Sequence, residues 1–146
     1  MDRRSVLRAL GGALVAAVAL PKMAWAAWSK EAFDAKESTA AMENLFGTAD
    51  VTSSEKVKLK APEIAENGAV VPLEVSTDMD AEQIAIFIDK NPTPLAISAS
   101  MGAGAAGLVK TRVRMGETSN VVAVVKSGKL YSANQEVKVT IGGCGG

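Results

Sequence analysis

The sequence of 146 residues contains no histidine and a single cysteine, Cys144. Histidine is the usual general base near neutral pH and the commonest metal ligand, so its absence excludes most acid–base catalysis and most imidazole metal sites. One cysteine cannot form an internal disulfide or assemble a thiolate metal cage. These absences leave Cys144 as the residue on which chemistry is expected.

The sequence also has no excess of charge of either sign and few aromatic residues. Sixteen Lys plus Arg balance sixteen Asp plus Glu, and 4% of the residues are aromatic. Because there is no excess of basic residues to neutralise phosphates, electrostatic binding to nucleic acid is excluded. With 48% hydrophobic and 22% charged residues, the composition is typical of one soluble globular domain with an aliphatic core.

Residues 1–26 have the organisation of an export signal. Three arginines within residues 1–8 precede an uncharged apolar stretch over residues 9–20, which is shorter than the roughly 20 residues that span a bilayer. The small-x-small pattern at residues 24–26 predicts cleavage before Ala27. We therefore predict export to a bacterial periplasm and a mature chain that forms one domain over residues 27–141.

The export route is indicated by Arg3 and Arg4. This pair resembles the twin-arginine signal, although Asp2 and Val6 stand where that signal usually has Ser or Thr and Phe. An ordinary Sec signal is the alternative. Without residues 1–26, which hold four basic residues and one acidic residue, 12 basic and 15 acidic residues remain, a net charge of −3.

Near the start of the mature chain, apolar residues recur every three or four positions from Trp28 to Phe46, which predicts a helix. Ser29 is expected to cap this helix and Gly47 to end it. We expect the apolar face to cover the domain's own core. Docking of a partner subunit on an exposed stripe of Trp28 and Phe33 is the alternative.

After the predicted helix the apolar period changes to two, which predicts strands. The dipeptide Asn67-Gly68 predicts a hairpin. About seven short strands with no helix between them predict a mainly β fold, an immunoglobulin-like antiparallel β-sandwich with an N-terminal helix. The predicted strands lie at residues 56–61, 71–77, 83–89, 95–100, 108–115, 120–126 and 129–141.

Residues 102–107 spell Gly-x-Gly-x-x-Gly, the fingerprint of dinucleotide-binding sites. That motif receives a pyrophosphate when its third glycine opens a helix. Here residues 108–114 alternate as a strand does, and export to the periplasm disfavours a nicotinamide cofactor. We interpret residues 102–107 as a loop between strands.

Cys144 lies in a Gly-Gly-Cys-Gly-Gly segment directly after the last predicted strand. A free cysteine is usually buried as a small apolar side chain, but the four flanking glycines supply no side chains to surround the sulfur. Glycine also has the largest backbone entropy, so we expect residues 142–146 to form a flexible arm with an exposed thiol. Its reach of about 10 Å past Ile141 is enough to enter a narrow channel in another protein.

The neighbours of Cys144 do not predict a catalytic nucleophile. No Lys or Arg lies within five residues, and a thiol with the ordinary pKa of about 8.5 is only a few per cent thiolate at pH 7. We therefore interpret Cys144 as a handle to which another enzyme attaches a group, on a protein that is not itself an enzyme. An intermolecular disulfide is the open alternative. A thiol oxidoreductase would need a lowered pKa or a Cys-x-x-Cys pair.

Residues 139–146 resemble the sulfur-binding C-terminus of the SoxY family, the carrier proteins of the Sox thiosulfate-oxidation system. The resemblance extends to residues 61–68, 110–116 and 131–134, and the twin-arginine-like leader also fits. It implies that Cys144 is the covalent attachment site for sulfur. It also implies that the hinge of the arm consists of Gly142, Gly143, Gly145 and Gly146.

The same resemblance implies a carrier cycle with no cofactor and no metal ion, only sulfur intermediates bound to Cys144. A haem-containing c-type cytochrome would join thiosulfate to Cys144, a hydrolase would release sulfate, and a sulfur dehydrogenase would oxidise the remaining sulfane. A SoxZ-like subunit, a second small β-sandwich, would form a heterodimer with this chain and be exported with it. No nucleic acid or membrane partner is expected. The alternative is a structural module that dimerises through a Cys144 disulfide.

Overall fold

The structure, a computed structural model, describes residues 29–140. The predicted export signal, Cys144 and the glycines beside it lie outside the described residues. The described chain begins with helices α1 (Lys30–Asp34) and α2 (Ser38–Phe46). Nine strands follow: β1 (Thr52–Ser53), β2 (Val57–Lys60), β3 (Ile64–Ala65), β4 (Val71–Thr77), β5 (Gln83–Ile88), β6 (Leu95–Ser100), β7 (Leu108–Val113), β8 (Ser119–Ser127) and β9 (Lys129–Val139).

The strands form two sheets, as expected of a β-sandwich. The larger sheet has the order β1-β9-β8-β5-β6, with β3 also paired to β9, and the smaller sheet has the order β2-β4-β7. The long strands pair antiparallel, whereas the two-residue strands β1 and β3 join β9 in parallel. The predicted mainly β fold is therefore confirmed, and all seven predicted strands are present with small differences at their ends.

Strand β5 lies between two apolar cores. Ile84, Ile86 and Ile88 point toward the smaller sheet, where they join a cluster of aliphatic side chains that includes Val75. Ala85 and Phe87 point the other way and belong to a second cluster with the helices. Alternate residues of a strand face opposite sides of its sheet, so a strand that is apolar at every position requires cover on both faces. The helices and the smaller sheet provide that cover.

The helical segment is divided in two, which differs from the single helix predicted. Residues 35–37 interrupt it although they contain neither Pro nor Gly, so neither of the usual helix breakers accounts for the interruption. The Ser38 hydroxyl donates to the Asp89 carboxylate at 2.6 Å, which ties the start of α2 to the end of β5. Gly47 ends α2 with φ 79°, as predicted.

The apolar face of the helices covers the domain's own core, as expected. Ala32 and Met42 are buried against the larger sheet, and Phe33 packs against the same cluster. The rings of Phe46 and Phe87 lie 6.5 Å apart between centroids. Within residues 29–140, neither helix has the length and apolar character needed to cross a membrane.

Asn67 and Gly68 form a turn, but the predicted hairpin is wrong. The Val70 N–H donates to the Asn67 carbonyl at 3.2 Å. The strand before the turn, β3, pairs with β9 of the larger sheet, while β4 after the turn pairs with β2 and β7 of the smaller sheet. The turn therefore connects the two sheets, because turn chemistry reverses the chain without specifying which strands then pair.

We expect Phe87→Ala to lower the free energy of unfolding by roughly 3–5 kcal/mol, because it leaves a cavity beneath the helices. Urea unfolding followed by circular dichroism measures this loss. The control is Phe33→Ala, which removes a side chain that is only partly buried in the same cluster and should cost less. Equal losses in the two variants would contradict the assignment of Phe87 to the centre of this core.

Candidate functional site

The described chain ends at Thr140, four residues before Cys144. The structure therefore defines the base from which the Cys144 segment departs. We call this base the terminal base: it consists of Glu63, Ala65, Gly68, Met115, Thr118 and residues 138–140. It lies where β9 ends, beside the loops that precede β4 and β8.

Three consecutive amides at the end of β9 each have an acceptor. The donors and acceptors are Lys138 to the Glu63 carbonyl at 3.0 Å, Val139 to the Thr118 hydroxyl at 2.9 Å and Thr140 to the Ala65 carbonyl at 3.1 Å. Successive N–H groups of a strand point to opposite sides, so β3 holds β9 from one side and Thr118 holds it from the other. The backbone is thereby positioned as far as Thr140.

Gly68 allows its loop to lie directly against β9. The Met115 N–H donates to the Gly68 carbonyl at 2.7 Å. A Cβ at position 68 would overlap the Met115 carbonyl oxygen and lie 2.9 Å from a methyl carbon of Val139. A larger residue would push the loop away from β9, so the close approach at the terminal base requires glycine here.

The loops around the terminal base are joined to one another by side-chain hydrogen bonds. The Asn91 amide donates to the Arg114 carbonyl at 2.7 Å, and its carbonyl accepts from the Gly116 N–H at 3.4 Å. The buried Ser119 hydroxyl accepts from the Lys90 N–H at 3.0 Å. These bonds connect the β5–β6 loop to the β7–β8 loop and so support Thr118 in its position.

The described part of this region supplies a positioned backbone and exposed charges of both signs. The carboxylates are Glu63, Glu66 and Glu117, and the cations are Lys90, Arg114 and Lys138. Within residues 29–140, no three His, Cys, Asp or Glu side chains are grouped so that they could hold a metal ion. Every buried side-chain nitrogen or oxygen in that range has a hydrogen-bond partner.

The predicted site residues lie outside the described residues, so Cys144 and its hinge glycines stay predictions. The structure adds residues that sequence reasoning missed, above all Thr118 and Gly68. Asn67-Gly68 indicated a turn but not its contact with β9. The Thr118 hydroxyl accepts a hydrogen bond from an amide 21 positions away in the sequence, so the pair is visible only in the folded structure.

The Gly-x-Gly-x-x-Gly segment is a loop, as interpreted from the sequence. It connects β6 to β7, and the strand β7 begins at Leu108 directly after the third glycine. Gly107 packs so closely on Thr77 that a Cβ would overlap the Thr77 carbonyl oxygen. No helix N-terminus therefore follows this motif within the described chain, and the geometry of a dinucleotide site is absent there.

A comparison with protein families gives a match to the family "Sulfur oxidation protein SoxY" over residues 42–144. Among solved structures, the sulfur carrier protein SoxY from Chlorobium limicola f thiosulfatophilum is 44% identical, with a TM-score of 0.63. The match covers 69% of this chain and 94% of that chain. No curated protein sequence matches the chain.

Superoxide reductases share the fold at much lower identity. The enzyme (neelaredoxin) from Ignicoccus hospitalis is 13% identical with a TM-score of 0.54, over 62% of this chain and 95% of that one. A putative superoxide reductase from Thermotoga maritima is 14% identical with a TM-score of 0.54, over 62% and 94%. At these identities the likeness shows the fold alone.

We expect Thr118→Val to free the Val139 amide, because valine has the shape of threonine but no acceptor oxygen. Hydrogen exchange at that amide should accelerate, and the free energy of unfolding should fall by roughly 1–3 kcal/mol. Thr118→Ser keeps the hydroxyl and is the matched control, in which protection should be largely retained. Unchanged exchange of Val139 in Thr118→Val would show that this bond does not hold the end of β9.

Proposed function

The chain belongs to the SoxY family of sulfur oxidation proteins, and we propose that it carries thiosulfate-derived sulfur intermediates covalently on Cys144. It presents them to the partner enzymes that oxidise them to sulfate. The observation that carries this proposal is the extent of the family match, which continues into the glycine-rich segment and has Cys144 as its last residue. The 44% identity to a sulfur carrier protein supports the same role.

The terminal base supports the carrier proposal because it gives the Cys144 segment a defined starting point. The backbone is held by neighbouring groups up to Thr140. Four residues from there to Cys144 span at most about 14 Å. We propose that Gly142, Gly143, Gly145 and Gly146 act as the hinge of a swinging arm. A covalent tether then replaces repeated capture of a small anion with a high local concentration at each active site.

The proposed loading step joins the Cys144 sulfur to the sulfane sulfur of thiosulfate. An S–S bond forms, the thiol proton is released, and two electrons pass to a haem-containing c-type cytochrome, which is the oxidant. The product is a cysteine thiosulfonate. Water then attacks the terminal sulfone sulfur in a hydrolase, which releases sulfate and a proton and leaves a persulfide on Cys144. A sulfur dehydrogenase oxidises that remaining sulfane to a sulfonate with oxygen from three water molecules, releasing seven protons and passing six electrons to a c-type cytochrome. A second hydrolysis then releases sulfate and a proton and restores the Cys144 thiol. The carrier itself supplies no catalytic group and no cofactor.

We propose that this cycle takes place in the periplasm, and that the chain works there as a heterodimer with a SoxZ-like subunit. The support for export is the basic region, apolar stretch and small-x-small pattern of residues 1–26. The support for the heterodimer is membership of the family. Twin-arginine export suits a pair that travels folded, because a subunit without its own signal can then cross with this chain.

We expect Cys144→Ser to abolish thiosulfate-dependent sulfate production, because a serine hydroxyl cannot form the disulfide-type bond to thiosulfate. The assay combines the variant, purified as its heterodimer with the SoxZ-like subunit, with a periplasmic extract from cells that lack this chain. The thermal midpoint of the variant should match that of the wild type, which serves as the folding control. Added wild-type heterodimer should restore sulfate output. Normal output from Cys144→Ser alone would overturn the carrier function.

Intact mass spectrometry of the protein purified from periplasm tests the location and the cargo together. We expect a polypeptide that begins at Ala27, with sulfur-containing adducts on Cys144 that a thiol reductant removes. These adducts should accumulate in cells that oxidise thiosulfate. A doubled mass that halves on reduction, without any sulfur adduct, would instead support the disulfide-linked structural module.

A further inference from the structure

The outward face of the smaller sheet concentrates positive charge. Residues at alternate positions of β2, β4 and β7 point away from the core, and the strand register aligns Lys60, Glu74 and Lys110 in one row across the sheet. We call this surface the basic face: it consists of Lys58, Lys60, Pro72, Glu74, Ser76, Leu108, Lys110 and Arg112. Its four cations are exposed.

The net charge of the basic face is opposite in sign to the net charge of the whole mature chain. One ion pair lies on it, between the Lys110 ammonium and the Glu74 carboxylate at 3.5 Å. Four cations against one carboxylate give the face a charge of +3, whereas residues 27–146 together have a net charge of −3. The rest of the mature chain is therefore at −6, and the field on this side of the molecule differs in sign from that elsewhere.

Protection of sheet edges accounts for part of this charge. Strands β2 and β7 are the two edges of the smaller sheet, and charged side chains on edge strands, lysine above all, prevent pairing with other chains. Lys58, Lys60 and Lys110 serve that purpose. Like charges close together on one sheet face reduce stability, so edge protection alone does not explain why Arg112 adds a fourth cation beside three lysines.

A groove at one end of the basic face has the character of a protein-docking surface. Its volume is about 990 Å³, and its apolar lining includes Leu59, Pro62 and Pro72. Its charged lining consists of the cations Lys60, Lys110 and Arg112 and the carboxylate of Glu74. An apolar centre with a charged rim is the usual anatomy of protein interfaces. The groove therefore offers both the buried apolar area and the charge that a partner could match.

The groove lies at the end of the molecule from which the Cys144 segment departs. Strand β7 carries Arg112 and then leads within three residues to Met115 of the terminal base. On the other side of the groove, the Gln135 amide of β9 donates to the Ala61 carbonyl at 2.9 Å. A protein seated on the groove would therefore lie next to the origin of the Cys144 segment.

We propose that the basic face is the docking surface for the partner enzymes that act on Cys144, and that the surface they bring to it is acidic. This inference rests on the proposed carrier function. A carrier with net negative charge and an anionic cargo would be repelled by an acidic enzyme unless it turned a positive face toward it. Such a face orients the encounter over about one Debye length and raises association rates by roughly 10- to 1,000-fold.

The test compares two double variants that change the net charge equally, by −4. Lys60→Glu/Arg112→Glu reverses two of the three cations that line the groove, and Lys36→Glu/Lys129→Glu reverses two exposed lysines away from the basic face. Glutamate keeps the sheet edges charged, so edge-to-edge association is not introduced. Each carrier is purified as its heterodimer with the SoxZ-like subunit, and a groove variant that no longer binds that subunit would overturn the proposal. The readout is the initial rate of sulfate formation at limiting heterodimer, with thiosulfate and a periplasmic extract from cells that lack this chain.

We expect the groove variant to be slowed about tenfold in roughly 20 mM NaCl, while the control variant stays within about twofold of the wild type. In roughly 200 mM NaCl, where charges are screened over a shorter distance, the wild type should slow and the difference should narrow. Rates for both variants within twofold of the wild type would overturn the proposal. Equal losses in both variants would overturn it as well, since they would reflect total charge.

Two further measurements distinguish loss of docking from other reasons why the groove variant could be slow. If excess thiosulfate restores the groove variant, the basic face captures the free anion and the docking proposal is wrong. If the groove variant fails to fold, as judged by its thermal midpoint, Lys60→Gln/Arg112→Gln replaces it, with Lys36→Gln/Lys129→Gln as the control of equal charge change, and the same criteria then apply. Cys144→Ser is included in each assay. Sulfate formation that persists in Cys144→Ser rejects the carrier function itself. If Cys144→Ser is inactive but the groove variant is as fast as the wild type, only the docking surface is rejected.

Discussion

Burial of β5 on both of its faces is the constraint from which the rest of the fold follows. Ile84 through Ile88 are fully buried, so the larger sheet needs apolar cover on each side of this strand. The smaller sheet covers the isoleucine side, and the helices cover the side of Ala85 and Phe87. Since the inner face of the smaller sheet packs against this core, its outer face is exposed to solvent and carries the charged side chains of the basic face.

The same arrangement determines how the chain leaves the core. Strand β9 pairs along its length with β8, which in turn pairs with β5, so most of β9 is anchored to the most buried part of the sheet. Its last residues pass beyond the centre and are held instead by β3 and Thr118. A rigid strand therefore delivers the backbone to the edge of the fold at Thr140. This is the property that a covalent carrier needs, because the reach of a short segment depends on where it starts.

The elements predicted well from the sequence are those with strong local signals. Alternating apolar residues identified the long strands, and Gly47 occupies the left-handed conformation that suits glycine at a helix end. The single helix and the hairpin at Asn67-Gly68 were wrong for a common reason. In both cases local chemistry was compatible with two arrangements, and contacts with distant strands selected the one observed: Ser38 with Asp89, and β3 with β9.

The candidate site likewise has features that local sequence predicts and features that depend on tertiary contacts. The sequence alone determined which residue could carry chemistry, because one cysteine among four glycines in a chain without histidine leaves no competitor. It also revealed the export-like leader and the resemblance to sulfur carriers, since each depends on short segments of contiguous residues. Only the tertiary structure decided what holds the backbone up to Thr140 and what surrounds it there. The Val139–Thr118 bond, the contact of Gly68 with β9 and the presence of Lys60 and Arg112 around one groove each join residues that are far apart in the chain. Strand register brings such residues together, and register is set by the packing of the whole core rather than by any local segment.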